Sequence, residues 1–134
     1  MVCIQCSAET QIINSRPQKR SNAVWRRRRC ITCNSTFTTH ETADFNAAWR
    51  VQTQKGLLVP FSRDKLFLSL YASLQHRPNA ISDAAALTET VITKLANTTH
   101  DGLLKNAVII QLVLTTLNRF DSSASVHYQA FHKP

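Results

Sequence analysis

Glycine is almost missing from this chain: Gly56 and Gly102 are the only two in 134 residues. That excludes a glycine-rich loop that cradles phosphates, and a flexible glycine tether between domains. Cysteine is missing after Cys33, so all four cysteines are packed into the first quarter of the chain. No apolar run approaches the roughly 20 residues needed to cross a bilayer. The opening Met1-Val2-Cys3 has no signal-peptide pattern, which leads us to expect an intracellular protein in a reducing compartment and no membrane partner. Cysteines there are metal ligands more often than disulfides. Catalytic groupings are missing too. The histidines His40, His76, His100, His127 and His132 are scattered, and neither paired carboxylates nor a nucleophile motif accompanies them. The chain is therefore not expected to be an enzyme. Acidic residues are absent between Arg16 and Arg29, a stretch that holds seven Lys and Arg.

What is present divides the chain in two. Composition shifts across residues 40–48, from Cys/Arg/Thr/Asn-rich to Leu/Ala/Val-rich. The expected domains are 1–46 and 47–134. The first reads as short strands near 11–14, 23–29 and 36–39. The second opens with a hairpin whose arms run over 49–54 and 57–61, turning at Lys55-Gly56. About four helices follow. Ser62 is placed to cap the first, with Asp64 in its first turn. Its apolar face is Leu66, Leu70 and Leu74, with Phe67 and Tyr71 beside them. Arg77-Pro78-Asn79 ends it. Ser82 and Asp83 are expected to open the second helix, with the stripe Leu87, Val91, Leu95. Asn106 is expected to cap the third, which carries Ile109, Leu112, Val113, Leu117 and Phe120. Asp121 or Ser122 begins the last, through Phe131. The fold class is a small β-rich zinc ribbon followed by an α+β, mostly helical domain.

Cys3-x-x-Cys6 and Cys30-x-x-Cys33 form two metal knuckles. A two-residue spacer lets both sulfurs of one turn face the same ion, and two such turns complete a tetrahedron. Zinc is the expected ion, and iron of the rubredoxin type is the other that such a cage accepts. With all four positions taken by protein, the ion is structural. About 46 residues bury too little apolar surface to fold without it.

Arg26-Arg27-Arg28-Arg29 run straight into the second knuckle, and Arg16, Lys19 and Arg20 precede them. On a strand, Arg26 and Arg28 share one face and Arg27 and Arg29 the other. Guanidinium forks suit phosphate oxygens and the edge of guanine. The expected DNA-binding residues are Arg16, Arg26, Arg27, Arg28 and Arg29. A solvated basic surface, or arginines paired with acids of the second domain, is the competing reading. Trp25 is either a base-stacking or a packing residue.

The two knuckles, Asn14-Ser15-Arg16, Val24-Trp25 before the arginine run, and Phe37-Thr38-Thr39-His40-Glu41 resemble the NrdR family, bacterial repressors of ribonucleotide reductase genes. Val51, Gly56, Pro60-Phe61, Lys65-Leu66 and Arg77-Pro78 are similar to that family's second domain, an ATP-cone. The resemblance implies a zinc-dependent repressor of the bacterial cytoplasm, associated with the nucleoid. Its cone would bind ATP or dATP and set the oligomeric state of a homo-oligomer. That state would control binding to paired boxes of double-stranded operator DNA. The nucleotide-binding residues it implies are Val51, Thr53, Lys55, Gly56 and Lys65. Departures from the family pattern are Thr53 for a lysine, Lys55 for an acid or amide, Val59 for a glutamate, Ser125 and His132 for tyrosines, Asn14 for an aspartate and Trp25 for an arginine. The changes in the cone imply weakened nucleotide binding, whereas Asn14 and Trp25, in the ribbon, leave the zinc site intact. The alternative is a DNA-binding regulator or adaptor whose cone serves only oligomerisation. An adaptor that binds protein or RNA is a further alternative.

Overall fold

The computed structural model describes residues 1–134, which form two compact units, Met1–Ala43 and Asp44–Pro134. In the first, β1 (Thr10–Gln18), β2 (Ala23–Cys30) and β3 (Thr36–Thr42) form an antiparallel sheet in the order β1-β2-β3. β1 is longer than 11–14 because its pairing with β2 continues from Thr10↔Cys30 to Gln18↔Ala23. Pro17, which has no N–H to give, is tolerated because β1 is an edge strand. A register shift between Ile12 and Asn14 marks a bulge in β1. β2 pairs with β3 without interruption, from Ala23↔Thr42 to Arg29↔Thr36.

The second unit begins with the four-residue helix α1 (Phe45–Ala48), capped by the Asp44 carboxylate, which accepts from the Ala47 amide. The expected boundary after residue 46 falls inside α1. The strands β4 (Arg50–Gln52) and β5 (Leu58–Pro60) make the hairpin. Its turn is closed by Gly56 N–H to Thr53 O at 2.9 Å, with Gly56 at φ +79, where a side chain is strained. β6 (Leu103–Lys105), absent from the hairpin-and-helices pattern expected of the sequence, joins β4 in parallel.

Four longer helices, α2 (Arg63–Leu74), α3 (Ala80–Thr98), α4 (Asn106–Phe120) and α5 (Ser122–Phe131), pack on one another, and α4 packs against β6. Ser62 caps α2, its hydroxyl accepting from the Lys65 amide, and the Asp121 carboxylate caps α5 by accepting from Ala124 N–H. Two expected starts are corrected. α3 begins at Ala80 after Asn79, not at Ser82. The Asp83 carboxylate is taken by Arg77 Nε at 2.8 Å, and the Ser82 hydroxyl donates to Asn79 O. Asn106 does not cap α4 but is its first residue, because β6 runs directly into the helix and leaves Lys105 at the cap position.

The leucine and valine stripes converge on one core. Leu66, Leu70, Leu74, Leu87, Val91, Leu95, Ile109, Val113 and Leu117 are all buried, with Trp49, Phe61 and Tyr128. Phe120, expected on the same stripe, is exposed instead, and the Arg77 guanidinium lies 4.5 Å from its ring centroid. No helix is long and apolar enough to cross a membrane.

Candidate functional site

The four sulfurs of Cys3, Cys6, Cys30 and Cys33 all lie within 4.8 Å of one another. The two knuckles are built alike. Cys3 N–H donates to Ala8 O, and Cys30 N–H donates to Ser35 O, at 2.8 and 2.9 Å. Ser7 and Asn34, each following a second cysteine, have positive φ of 60° and 57°. These matched turns bring the two pairs of sulfurs together, and no disulfide links them. Cys3 and Cys30 are buried, Cys6 and Cys33 exposed.

The donor set fits zinc. Zn–S bonds of about 2.3 Å put tetrahedral sulfurs roughly 3.8 Å apart, and Cys3–Cys33 and Cys6–Cys30 are 3.7 and 3.4 Å apart. Amides of Gln5, and of Thr32 and Cys33, donate to Cys3 Sγ and Cys30 Sγ respectively. The Ser35 hydroxyl lies 3.2 Å from Cys3 Sγ and 3.1 Å from Cys33 Sγ. The cysteine spacing does not point to Ser35, whose one sequence signal is its place two residues after Cys33. The Ser35 hydroxyl, with the amides of Gln5 and Cys6, lowers the Cys3 thiol to about 6. Ser35 also lowers Cys33. At Cys6 the Ala8 amide favours the thiolate, but hydrogen bonds with Cys30 and Cys33 outweigh it and push the thiol up to about 12. Four such close sulfurs ionise together only around a cation. With no open coordination position, the ion holds the two knuckles in place and supplies no catalysis.

Pairing register sorts the basic residues of the ribbon. Residues directly opposite across a sheet share a face. Arg16 pairs with Trp25, and Trp25 with His40. Asn14 pairs with Arg27, and Arg27 with Thr38. Gln11 pairs with Arg29, and Arg29 with Thr36. One face therefore carries Arg16, Arg27 and Arg29, with Trp25 and His40, and no acid. The three arginines and His40 are exposed, and Arg27 Nη2 donates to Thr36 Oγ1 at 3.0 Å. The opposite face carries Arg26 and Arg28, both half-buried. Arg26 forms an ion pair with Glu41 at 2.9 Å. Arg28 donates to Thr39 and Thr10 hydroxyls.

In the second unit, two adjoining clefts lie along the hairpin. One, of about 190 Å³, is lined by Val51, Lys65, Asn106 and Tyr128 among others. The other, of about 600 Å³, is lined by Thr53, Lys55, Leu57 and Phe131 among others. Asn106 and His132 line both. The structure thus distributes the expected nucleotide residues over neighbouring clefts, Val51 and Lys65 in one, Thr53 and Lys55 in the other. Gly56 lines neither and makes the turn. The N-termini of α2 and α4 open here, and no acid lines either cleft. The first turn of α4 holds no acid and no side-chain cap. Tyr128 and His132 stack at 4.0 Å. Gln54 Nε2 donates to Lys133 O at 2.9 Å, tying the hairpin turn to the end of α5.

Residues 1–41 match the model of the Transcriptional repressor NrdR-like N-terminal domain. The chain is 32% identical to the Transcriptional repressor NrdR of Afipia carboxidovorans, covering 99% of this chain and 84% of that one. The chain belongs to the NrdR family. The repressors of the same name from Bradyrhizobium diazoefficiens and Nitrobacter hamburgensis are each 31% identical, over 99% of this chain and 82% of theirs. As a member of the NrdR family, it is a transcriptional repressor with a zinc ribbon and not an enzyme, and its four-cysteine cage takes one structural zinc.

Proposed function

We propose that the chain represses ribonucleotide reductase genes by binding paired operator boxes in duplex DNA through its zinc ribbon. ATP or dATP bound to the helical unit sets the oligomeric state that permits or forbids this binding. The observation that carries the DNA reading is the acid-free face of the ribbon sheet, with Arg16, Arg27 and Arg29 exposed on a scaffold fixed by zinc. Neutralising phosphates releases counterions, so three such contacts per ribbon give a salt slope of about −2.7 on logarithmic axes. Arg26 and Arg28 serve the sheet itself, through Glu41, Thr39 and Thr10. One ribbon is too small a reader for high specificity, which favours an assembly that presents several. The site of action is the bacterial nucleoid.

Nucleotide control is supported by the two clefts, where Lys65, Lys55 and two helix N-termini offer positive charge to phosphates. Calorimetric titration of the zinc-loaded protein with ATP and with dATP tests it. Micromolar binding that Lys65→Ala abolishes supports the effector reading. Absence of binding at millimolar nucleotide leaves the second unit as an assembly domain. That second reading is favoured by Thr53 in place of the family's lysine and by the exposed apolar run Leu57-Leu58-Val59 along the hairpin.

A further inference from the structure

The open face of the ribbon holds one large side chain that phosphate binding leaves unexplained. Trp25 sits on the central strand β2, directly between Arg16 on β1 and His40 on β3, with Arg27 next along the same face. It is half-buried, and it joins no aromatic pair or cation–π contact. The chain's other tryptophan behaves differently: Trp49 is buried, packed against Phe45 and Phe61. Guanidinium groups hold phosphates without regard to sequence, and the base edge their fork reads is that of guanine. An indole offers what they lack, a flat apolar face and a single N–H donor. In the major groove, apolar groups distinguish thymine by its methyl. Strands about 4.8 Å apart make the row Arg16–Trp25–His40 roughly 10 Å wide, which fits a groove of about 12 Å. Where the row Arg16–Trp25–His40 enters the groove, its central side chain faces the floor and its outer two face the phosphate walls; Arg27 and Arg29, on long flexible stems farther along β2, reach phosphates beyond that row.

We propose that Trp25 contacts base edges and sets the sequence preference of the ribbon, while Arg16, Arg27 and Arg29 supply sequence-independent affinity. This rests on the reading of the ribbon as a binder of duplex DNA. It follows that losing Trp25 costs discrimination, and losing Arg27 costs affinity.

The test uses the full zinc-loaded chain. It selects from a pool of random-sequence duplexes, and the bound fraction is sequenced for wild type, Trp25→Phe, Trp25→Ala and Arg27→Ala. Wild type and Trp25→Phe are expected to select the same motif. Trp25→Ala is expected to keep the wild-type salt slope and lose about tenfold discrimination at one or two adjacent positions. Arg27→Ala is expected to weaken binding to all sequences alike and to reduce the salt slope by about one. A second measurement covers a Trp25→Ala chain that fails to fold. Tryptophan emission of the wild type is followed as duplex is added, with Trp25→Phe supplying the Trp49 background. Emission from Trp25 is expected to be quenched on binding. An unchanged motif in Trp25→Ala, or unchanged Trp25 emission at saturating duplex, overturns the role of Trp25 and leaves DNA binding standing. A wild type that retains no duplex, or prefers single strands, overturns the DNA reading itself, and Trp25 with it.

Discussion

Cys3 shows how much one side chain decides in so small a module. It is buried, its sulfur touches Cys33 Sγ at 3.7 Å, and Ser35 and Gln5 favour its thiolate. Cys3→Ser breaks the tetrahedron and is expected to unfold the ribbon. Zinc content should fall from one per chain, and DNA binding should be lost; a variant that keeps both would contradict a structural ion. The arginines divide by face. Arg27→Ala is expected to lower affinity for duplex, and Arg26→Ala, whose guanidinium is held by Glu41, to leave it nearly unchanged. Equal losses in a binding titration would mean that the run acts as one undivided charge. Asp121 gives the pH dependence of the helical unit. The Ala124 amide, then His76 and Arg77, lower its carboxyl from 3.8 to about 2. A group depressed in this way stabilises the fold above its ordinary value and loses that contribution as the pH falls through its folded value. Helical circular dichroism under denaturant should therefore show wild type more resistant than Asp121→Asn at neutral pH. The difference should close as the pH drops from 3.8 to about 2. A gap that persists unchanged at the acid end would assign the effect to packing.

Among the elements, the legible ones were those whose signal is local. The helices α2 to α5 follow from stripes at three- and four-residue spacing, and every buried leucine of α2 lies on the stripe that predicts it. The knuckles follow from cysteine spacing. Their mutual approach in space is supplied by matched hydrogen bonds and positive-φ residues at Ser7 and Asn34, and the spacing alone does not reveal these. β6 was not legible. Leu103-Leu104-Lys105 is too short to show an alternation, and its partner β4 lies more than fifty residues earlier. It is placed by Gly102, whose carbonyl accepts from the Arg50 amide. Gly102 has φ +73, and a Cβ there meets Ala48 O at 3.0 Å. Gly102→Ala is thus expected to destabilise the helical unit by about 1–3 kcal/mol, read as a lower urea midpoint with an unchanged slope. No loss would mean that the loop can yield at this point. The division of the arginines was only half legible. Alternation separates Arg27 and Arg29 from Arg26 and Arg28. The same alternation puts Trp25 with the first pair, but only pairing shows that Arg16 and His40 share that face, since each lies on another strand and the bulge near Ile12 resets the count along β1.

At the scale of the whole molecule, the two units depend on different sources of stability. Met1–Ala43 buries only Cys3, Ala23 and Cys30 among its apolar residues, so its folding free energy has to come from the metal. Asp44–Pro134 has its own core, from Trp49 through Tyr128, and no metal-ligand cluster. Removing zinc with a chelator should consequently unfold one unit and spare the other. Calorimetry of the zinc-loaded protein is expected to show the ribbon's transition abolished by chelation, while the helical transition keeps its midpoint. The two tryptophans report on this separately: Trp25 emission should shift toward that of exposed indole, and emission of the buried Trp49 should not. Loss of both transitions on chelation would mean that the helical unit leans on the ribbon for its stability. Retention of both would mean that the ribbon's strands hold without their ion. The expected outcome also bears on regulation. On the proposed reading, a helical unit that stays folded on its own binds its effector and assembles whatever state the ribbon is in, so that mutation is expected to remove DNA binding and nucleotide response one at a time.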